Sequence, residues 1–279
     1  MGKLYVVGIG PGNEKDITYR ADEAIRSSTV IVGYAKYLEL IAGKISGKQI
    51  VSTGMTKEVE RCDKAVALAA TGETVAVVSG GDAGVYGMAG LILERLEIFL
   101  HGRDIEKFRI RDLDSDRDLD SDRGGGACCG NFETVVVEVI PGITAALSGA
   151  AVLGAPLAHD FCVISLSDLL TPQEVIDKRA EAAGQGDFCC VIYNPMSNKR
   201  RDKLSRLCDI LMKYKSPDTI CGYVRNIGRA EEIKCILTLS ELKNTEVDMF
   251  TTVFIGNSST RTIDGLLVTL RGYEQKREY

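Results

Sequence analysis

The amino-acid sequence predicts an α/β protein of two domains with a mainly parallel N-terminal sheet. Three observations carry this expectation. The chain has 279 residues, more than one typical domain of about 150 residues. Short, continuous apolar runs such as Thr74–Ser79 and Val135–Ile140 alternate with stretches of helical period, the pattern of a parallel sheet covered on both faces. Glycine-rich turns follow three of these runs, where such sheets carry their ligand loops.

In chain order, residues 4–8 predict a buried strand running into a turn at 8–12. Thr18 is placed to cap a helix through residue 27. Strands are expected at 29–32 and 49–52. A helix is expected over 57–71, because Val59, Cys62, Val66 and Ala69 fall along one face. The strand Thr74–Ser79, a helix over 85–100, the strand Val135–Ile140 and a helix over 144–153 complete a first domain of residues 1–157. Residues 154–160 read as a linker, and a second α/β domain covers 158–279. Its expected strands are 161–166, 188–193, 219–224 and Thr251–Ile255. Its expected helices are 172–183, 199–214, a turn around 229–235, and 264–273.

A polar insertion near 103–129 interrupts the first domain. Within it the hexapeptide Arg-Asp-Leu-Asp-Ser-Asp occurs twice in tandem, at 111–116 and 117–122. On a calcium-loop template started at Asp112, Arg117 takes the place of the required Gly and Arg123 that of the bidentate Glu, so the run reads as surface. Adjacent Cys128 and Cys129 chelate one ion poorly, and no protein-bound metal is expected.

Composition narrows the class. With 45% hydrophobic and 26% charged residues, the chain carries enough apolar surface to exclude general disorder. A net charge of −5 argues against a nucleic-acid partner but permits a local basic cluster around a small anion. No uninterrupted apolar run approaches the ~20 residues that span a bilayer, so no membrane partner is expected. The first eight residues show no signal-peptide cleavage region. Nine cysteines, an odd number without a C-x-x-C pair, suit a reducing, cytoplasmic location.

The chemistry concentrates in three loops. Gly8-Ile9-Gly10-Pro11-Gly12-Asn13 has Asn where a dinucleotide fingerprint needs its last Gly, and it lacks the Gly-Lys-Ser/Thr ending of a P-loop. It is either a tight turn or a surface a planar ligand can approach closely. In the second loop, Gly80-Gly81-Asp82-Ala83-Gly84-Val85-Tyr86-Gly87, Asp82 is placed to cap a helix or to accept hydrogen bonds from ribose hydroxyls or an ammonium group. In the third, Pro141-Gly142-Ile143-Thr144-Ala145, Thr144 is a candidate cap and the small residues leave room for adenine or a methionine side chain.

In this order and spacing the three loops resemble the tetrapyrrole (corrin and porphyrin) methyltransferases. Residues 154–168, 193–197, 224–229 and 254–260 further resemble the branch that methylates C17 of precorrin-3B or cobalt-precorrin-3B in cobalamin biosynthesis. The resemblance covers nearly the whole chain. It implies an active-site cleft between two α/β domains, a homodimer, a tetrapyrrole substrate, and S-adenosylmethionine as methyl donor with S-adenosylhomocysteine as product. By position it implies donor contacts at Gly80, Gly81, Asp82, Val85, Thr144 and Ala145, joined by Asn194, Asn226 and Ile227. Gly10, Pro11 and Gly12 would line the substrate, whose carboxylates would pair with Arg200 and Arg225, with Lys199, Arg201 and Arg229 as further candidates. Some relatives have an Asp base where Tyr34 stands here, so that role is not carried over.

Methyl transfer needs no protein nucleophile, in keeping with a sequence that has no Ser/His/Asp or Cys/His signature. Ring contraction in the C17 branch does require proton transfer. His159 and Asp160 are candidate catalytic residues, with Ser165 and Ser167 beside them. A structural hydrogen bond explains His159 equally well, and a solvated helix face explains residues 199–201 equally well. Two rival readings stay open: another tetrapyrrole or diphthine methyltransferase, and a dinucleotide-binding enzyme. A silent binding protein is a third and weaker one.

Overall fold

The computed structural model describes residues 2–54, 56–101, 108–110, 135–196 and 202–273. They fall into two compact units divided between Thr144 and Ala145. The tandem hexapeptide, Cys128, Cys129, Lys199, Arg200 and Arg201 lie outside the described residues.

The first unit runs β1 (Gly2–Gly8), α1 (Tyr19–Ser27), β2 (Val30–Tyr34), α2 (Ala35–Leu40), β3 (Gln49–Thr53), α3 (Glu58–Ala70), β4 (Thr74–Ser79), α4 (Ala89–His101), β5 (Phe108–Ile110) and β6 (Val135–Ile140). Its sheet has the order β3-β2-β4-β1-β6-β5, and every pair is parallel. Strand side chains alternate between two cores, as a two-residue period requires. Leu4, Val6, Val75 and Val77 pack with Cys62, Val66 and Ile92 of α3 and α4. Val7, Ala76 and Val78 pack on the other side with Ala21, Ile25 and Leu38 of α1 and α2. This double burial explains why the strands read as continuous apolar runs. Thr18 caps α1 as its position predicts, its hydroxyl accepting the Ala21 N–H at 3.2 Å.

The helix expected from residue 85 begins instead at Ala89. Tyr86 has φ 52°, outside the helical region, and a Cβ on Gly87 would sit 2.5 Å from the Ala83 carbonyl oxygen. Residues 80–88 therefore form a tight loop.

The second unit runs α5 (Ala145–Leu153), β7 (Gly154–Ala155), β8 (Phe161–Ser165), α6 (Gln173–Gln185), β9 (Cys189–Tyr193), α7 (Lys203–Leu211), β10 (Ile220–Arg225), β11 (Ile233–Thr238), α8 (Leu239–Leu242), β12 (Thr251–Ile255), β13 (Thr260–Ile263) and β14 (Leu266–Thr269). Its main sheet, β11-β10-β12-β9-β8, is antiparallel except for the β8–β9 pair. One face packs on α6 and α7 through Ile176, Ala180, Leu204 and Leu207. The other packs on α5 through Ala146, Ala150 and Leu153.

Two expected helices are strands. The turn around 229–235 leads into β11, whose residues pair antiparallel with β10. The expected helix at 264–273 is the β13–β14 hairpin. Asp264 and Gly265 have φ of 48° and 73°, the two left-handed positions of a tight hairpin turn. Among the described residues, no helix is long and apolar enough to cross a membrane.

Candidate active site

In the first unit β1 lies between β4 and β6, with Gly8 opposite Ser79 and Val7 opposite Ile140. The chain leaves all three strands at one edge of the sheet, so the three loops foreseen from sequence meet there. Backbone hydrogen bonds join two of them: Gly10 N–H donates to the Gly81 carbonyl at 3.0 Å, and Gly81 N–H donates back at 2.7 Å. Both residues have positive φ, 75° and 69°. The third loop closes on the same point. A Cβ on Gly8 would lie 2.7 Å from the Gly142 nitrogen and 2.7 Å from the Gly81 oxygen, and one on Gly142 would strike the Gly81 carbonyl. Backbone presses on backbone here, which is why glycine occupies all three positions.

Asp82 locks the arrangement. Its Oδ1 accepts the Gly84 N–H at 2.7 Å and its Oδ2 the Gly142 N–H at 2.9 Å, joining the β4 loop to the β6 loop. It does not cap α4, which starts seven residues later. A carboxylate has about four lone-pair positions, so each oxygen keeps capacity for another donor. The amides of Gly10, Gly81 and Gly142 are spent inside the unit, while the Asp82 carboxylate keeps acceptor capacity. Around it, a Cβ on Gly80 would touch the Tyr37 ring at 2.7 Å, while Val85 and Tyr86 are exposed. Pro11 is buried, Gly12 is half-buried with φ 144°, and Thr144 is half-buried. Thr18 donates its hydroxyl hydrogen to the Pro141 carbonyl at 3.2 Å, tying α1 to the third loop.

A residue that sequence reasoning passed over supports the same edge. Arg61 on α3 is 3% exposed. Its guanidinium donates to Thr53 Oγ1 at 2.7 Å and to the Gly54 carbonyl at 2.8 Å, and reaches Met88 Sδ at 3.6 Å. It thereby ties the end of β3 to the loop after β4.

In the second unit, two further candidate residues end strands in left-handed conformation. Asn194 after β9 and Asn226 after β10 have φ of 52° and 54°. Asn194 Nδ2 donates to Ser165 Oγ at 2.9 Å, and Ser165 Oγ also accepts the Ser167 N–H at 3.3 Å. Lys203, 8% exposed, donates to the Leu166 carbonyl and pairs with Asp168, each at 2.8 Å, so a buried cation holds this loop. Asn226 Nδ2 donates to the Glu231 carbonyl at 3.4 Å. Ile227 is buried in the core beneath α5, leaving its main chain for any ligand contact. The Tyr193 hydroxyl accepts the Ala146 N–H at 2.8 Å, fixing the first turn of α5 and with it Ala145.

Arg225 is half-exposed and pairs with Asp248 at 2.9 Å. The Arg229 guanidinium stands 5.6 Å from the Phe250 ring centre, and its buried Nε has no hydrogen-bond partner among the described residues. His159 and Asp160 are exposed and touch each other, with the Asp160 N–H donating to His159 Nδ1 at 2.7 Å. They precede β8, whereas Ser165 ends it. At a rise of ~3.3 Å per residue the five steps from Asp160 to Ser165 span roughly 16 Å, and His159 lies a residue further still.

The tetrapyrrole (corrin/porphyrin) methylase family model matches residues 3–106 and 126–243, omitting the stretch that holds the tandem hexapeptide. A cobalt-factor III methyltransferase of Priestia megaterium is 47% identical over 275 residues, which is 99% of this chain but 46% of that protein. A probable cobalt-factor III C(17)-methyltransferase of Salmonella typhimurium LT2 is 43% identical, covering 97% of this chain and 99% of the relative. Among solved structures, the methyltransferase CobJ aligns with a TM-score of 0.80 at 33% identity, covering 97% of this chain and all of that one. The three glycine loops thus sit in a frame shared along nearly the whole chain, and the protein belongs to the tetrapyrrole (corrin/porphyrin) methylases.

Proposed function

We propose that this chain transfers the methyl group of S-adenosylmethionine to C17 of cobalt-factor III, with contraction of the macrocycle, in cobalamin biosynthesis. The observation that carries the reading is the clasp of three glycine loops at the tips of β4, β1 and β6, closed by Asp82. The cobalt-bearing substrate is supported by the names of the two relatives, one of which this chain covers almost from end to end. The family resemblance supports a cytoplasmic homodimer acting on a free tetrapyrrole, with neither nucleic acid nor membrane as partner.

The loop residues fit the donor in kind. The free lone pairs of Asp82 suit ribose hydroxyls or an ammonium group, and exposed Val85 and Tyr86 offer apolar surface to adenine or the methionine chain. When bound, S-adenosylmethionine supplies an electrophilic sulfonium methyl, and the accepting carbon belongs to the substrate. The chain's own task is alignment, and fixed alignment of two reactants is worth ~7–11 kcal/mol of barrier. Rigid loops suit that task, since the glycine contacts and the Asp82 bonds hold the edge in one geometry. Half-exposed Arg225 and the Arg229 guanidinium provide positive groups for substrate carboxylates. For proton handling the candidates are His159, Asp160, Ser165 and Ser167, and Asn194 holds the Ser165 hydroxyl at the end of β8.

The decisive experiment is turnover of cobalt-factor III with methyl-labelled S-adenosylmethionine, the product being read by mass spectrometry and NMR. Label at C17 is expected. Label at another ring carbon, or turnover only of metal-free precorrin-3B, overturns the assignment. Separately, S-adenosylhomocysteine should raise the melting temperature by linkage while NAD leaves it unchanged. The reverse pattern would restore the dinucleotide reading.

A further inference from the structure

Most described cysteines are sealed thiols. Burial pushes Cys62, Cys208 and Cys221 up to about 12, so they stay protonated and behave as small apolar side chains. Cys162 differs in position and surroundings. It lies on β8, the edge strand of the second unit's main sheet, and is only half-buried. Its register partner across the parallel pair is Cys190 of β9, whose side chain is fully buried. The two sulfurs are 3.7 Å apart.

The surroundings divide the labour between them. Contact with the Cys190 thiol lowers the Cys162 thiol, with the positive charge of Lys215 acting in the same direction against the effect of burial. Cys190 is held well above the ordinary thiol value, first by its Cys162 neighbour and then by burial. Lys215 is itself fixed, its side chain 1% exposed and its ammonium 3.0 Å from both Asp187 Oδ1 and the Phe188 carbonyl. Cys189, although adjacent in sequence to Cys190, points to the opposite face and lies 3.4 Å from Thr269 Oγ1.

We propose that Cys162 and Cys190 form a peroxide-responsive thiol pair that closes to a disulfide. The Cys162 thiolate attacks one oxygen of hydrogen peroxide, so that an S–O bond forms as the O–O bond breaks and hydroxide leaves. The sulfur of Cys190 then displaces the sulfenic oxygen, which departs as water with the Cys190 proton, and the S–S bond forms. In sum, the thiols lose two protons and two electrons, and one peroxide becomes two waters. Closure brings the sulfurs from 3.7 Å to ~2.05 Å, a movement an edge strand bonded on one side can make.

The test treats the full chain with equimolar hydrogen peroxide, blocks remaining thiols with N-ethylmaleimide and maps peptides by mass spectrometry. Protein lighter by two hydrogens, with the 162 and 190 peptides joined and separable by dithiothreitol, is expected. C190S should instead accumulate a dimedone-reactive sulfenic acid at Cys162, and C162S should form no such link. Complete alkylation of Cys162 after peroxide, or a bridge joining Cys190 to any other cysteine, overturns the proposal. Neither readout depends on methyl transfer, so the pair and the enzymatic reading fail independently.

Discussion

Asp82 shows how much one side chain can carry. Hydrogen bonds to an ionised group contribute about 1.5–3 kcal/mol each, and this carboxylate makes two that hold separate loops together. Asp82→Ala should therefore lower the melting temperature by several degrees and weaken S-adenosylhomocysteine binding at least tenfold by calorimetry. Asp82→Asn, which keeps the Oδ1 acceptor but can present an N–H to that of Gly142, should fall between. A variant that unfolds earlier yet binds with unchanged affinity would make Asp82 structural only. The role is only partly legible in sequence: a lone Asp after glycines suggests a cap or a ligand contact. Its true partner, Gly142, lies 60 residues away and becomes its neighbour only once β4 and β6 flank β1.

Strands and helices were legible to different degrees, for physical reasons. Thr74–Ser79 and Val135–Ile140 declare themselves because burial on both faces demands unbroken apolar residues. Residues 264–273 read as a helix in sequence, although the Asp264-Gly265 pair between the runs Thr260–Ile263 and Leu266–Thr269 is a hairpin signal in its own right. Charged residues inside an element are the hardest to foresee, since composition assigns them to the surface. Arg61 on α3 illustrates this, and its removal has a calculable cost. Arg61→Met leaves the buried Thr53 hydroxyl without its donor, at about 1–3 kcal/mol, and removes a second bond to the carbonyl of exposed Gly54. The urea midpoint should drop clearly in Arg61→Met and less in Arg61→Lys, which retains one donor. Equal midpoints for wild type and Arg61→Met would refute this account.

Acid stability is a property of the whole molecule. Among the described residues five carboxyls sit below their ordinary values, and three of them, Asp22, Asp177 and Asp187, are half-buried. The Lys44 hydrogen bond lowers Asp22 against a smaller desolvation effect. For Asp177 and Asp187 burial acts upward, but hydrogen bonds from Arg206 and Gln173 in one case, and from Ser258 and Lys215 in the other, together outweigh it. A carboxyl depressed in the folded state stabilises the protein above its unfolded value, ~3.9 for Asp, and that contribution fades as pH falls through the folded value. Denaturant midpoints should thus decline below about pH 4. Asp187→Asn, whose amide tolerates the φ of 51° at this position, should lower the midpoint at pH 7 and flatten the decline. Parallel curves for variant and wild type would contradict the linkage.

The contact among Gly8, Gly81 and Gly142 also bears on how this protein can vary. Where a bulky side chain causes a clash, trimming its neighbour restores room. Here the obstructing atoms are main-chain carbonyls and nitrogens, which every residue possesses. A genetic screen started from Gly142→Ala should therefore recover only true revertants to glycine and no second-site compensators nearby. Any compensating change at position 8 or 81 would show that the loops can part.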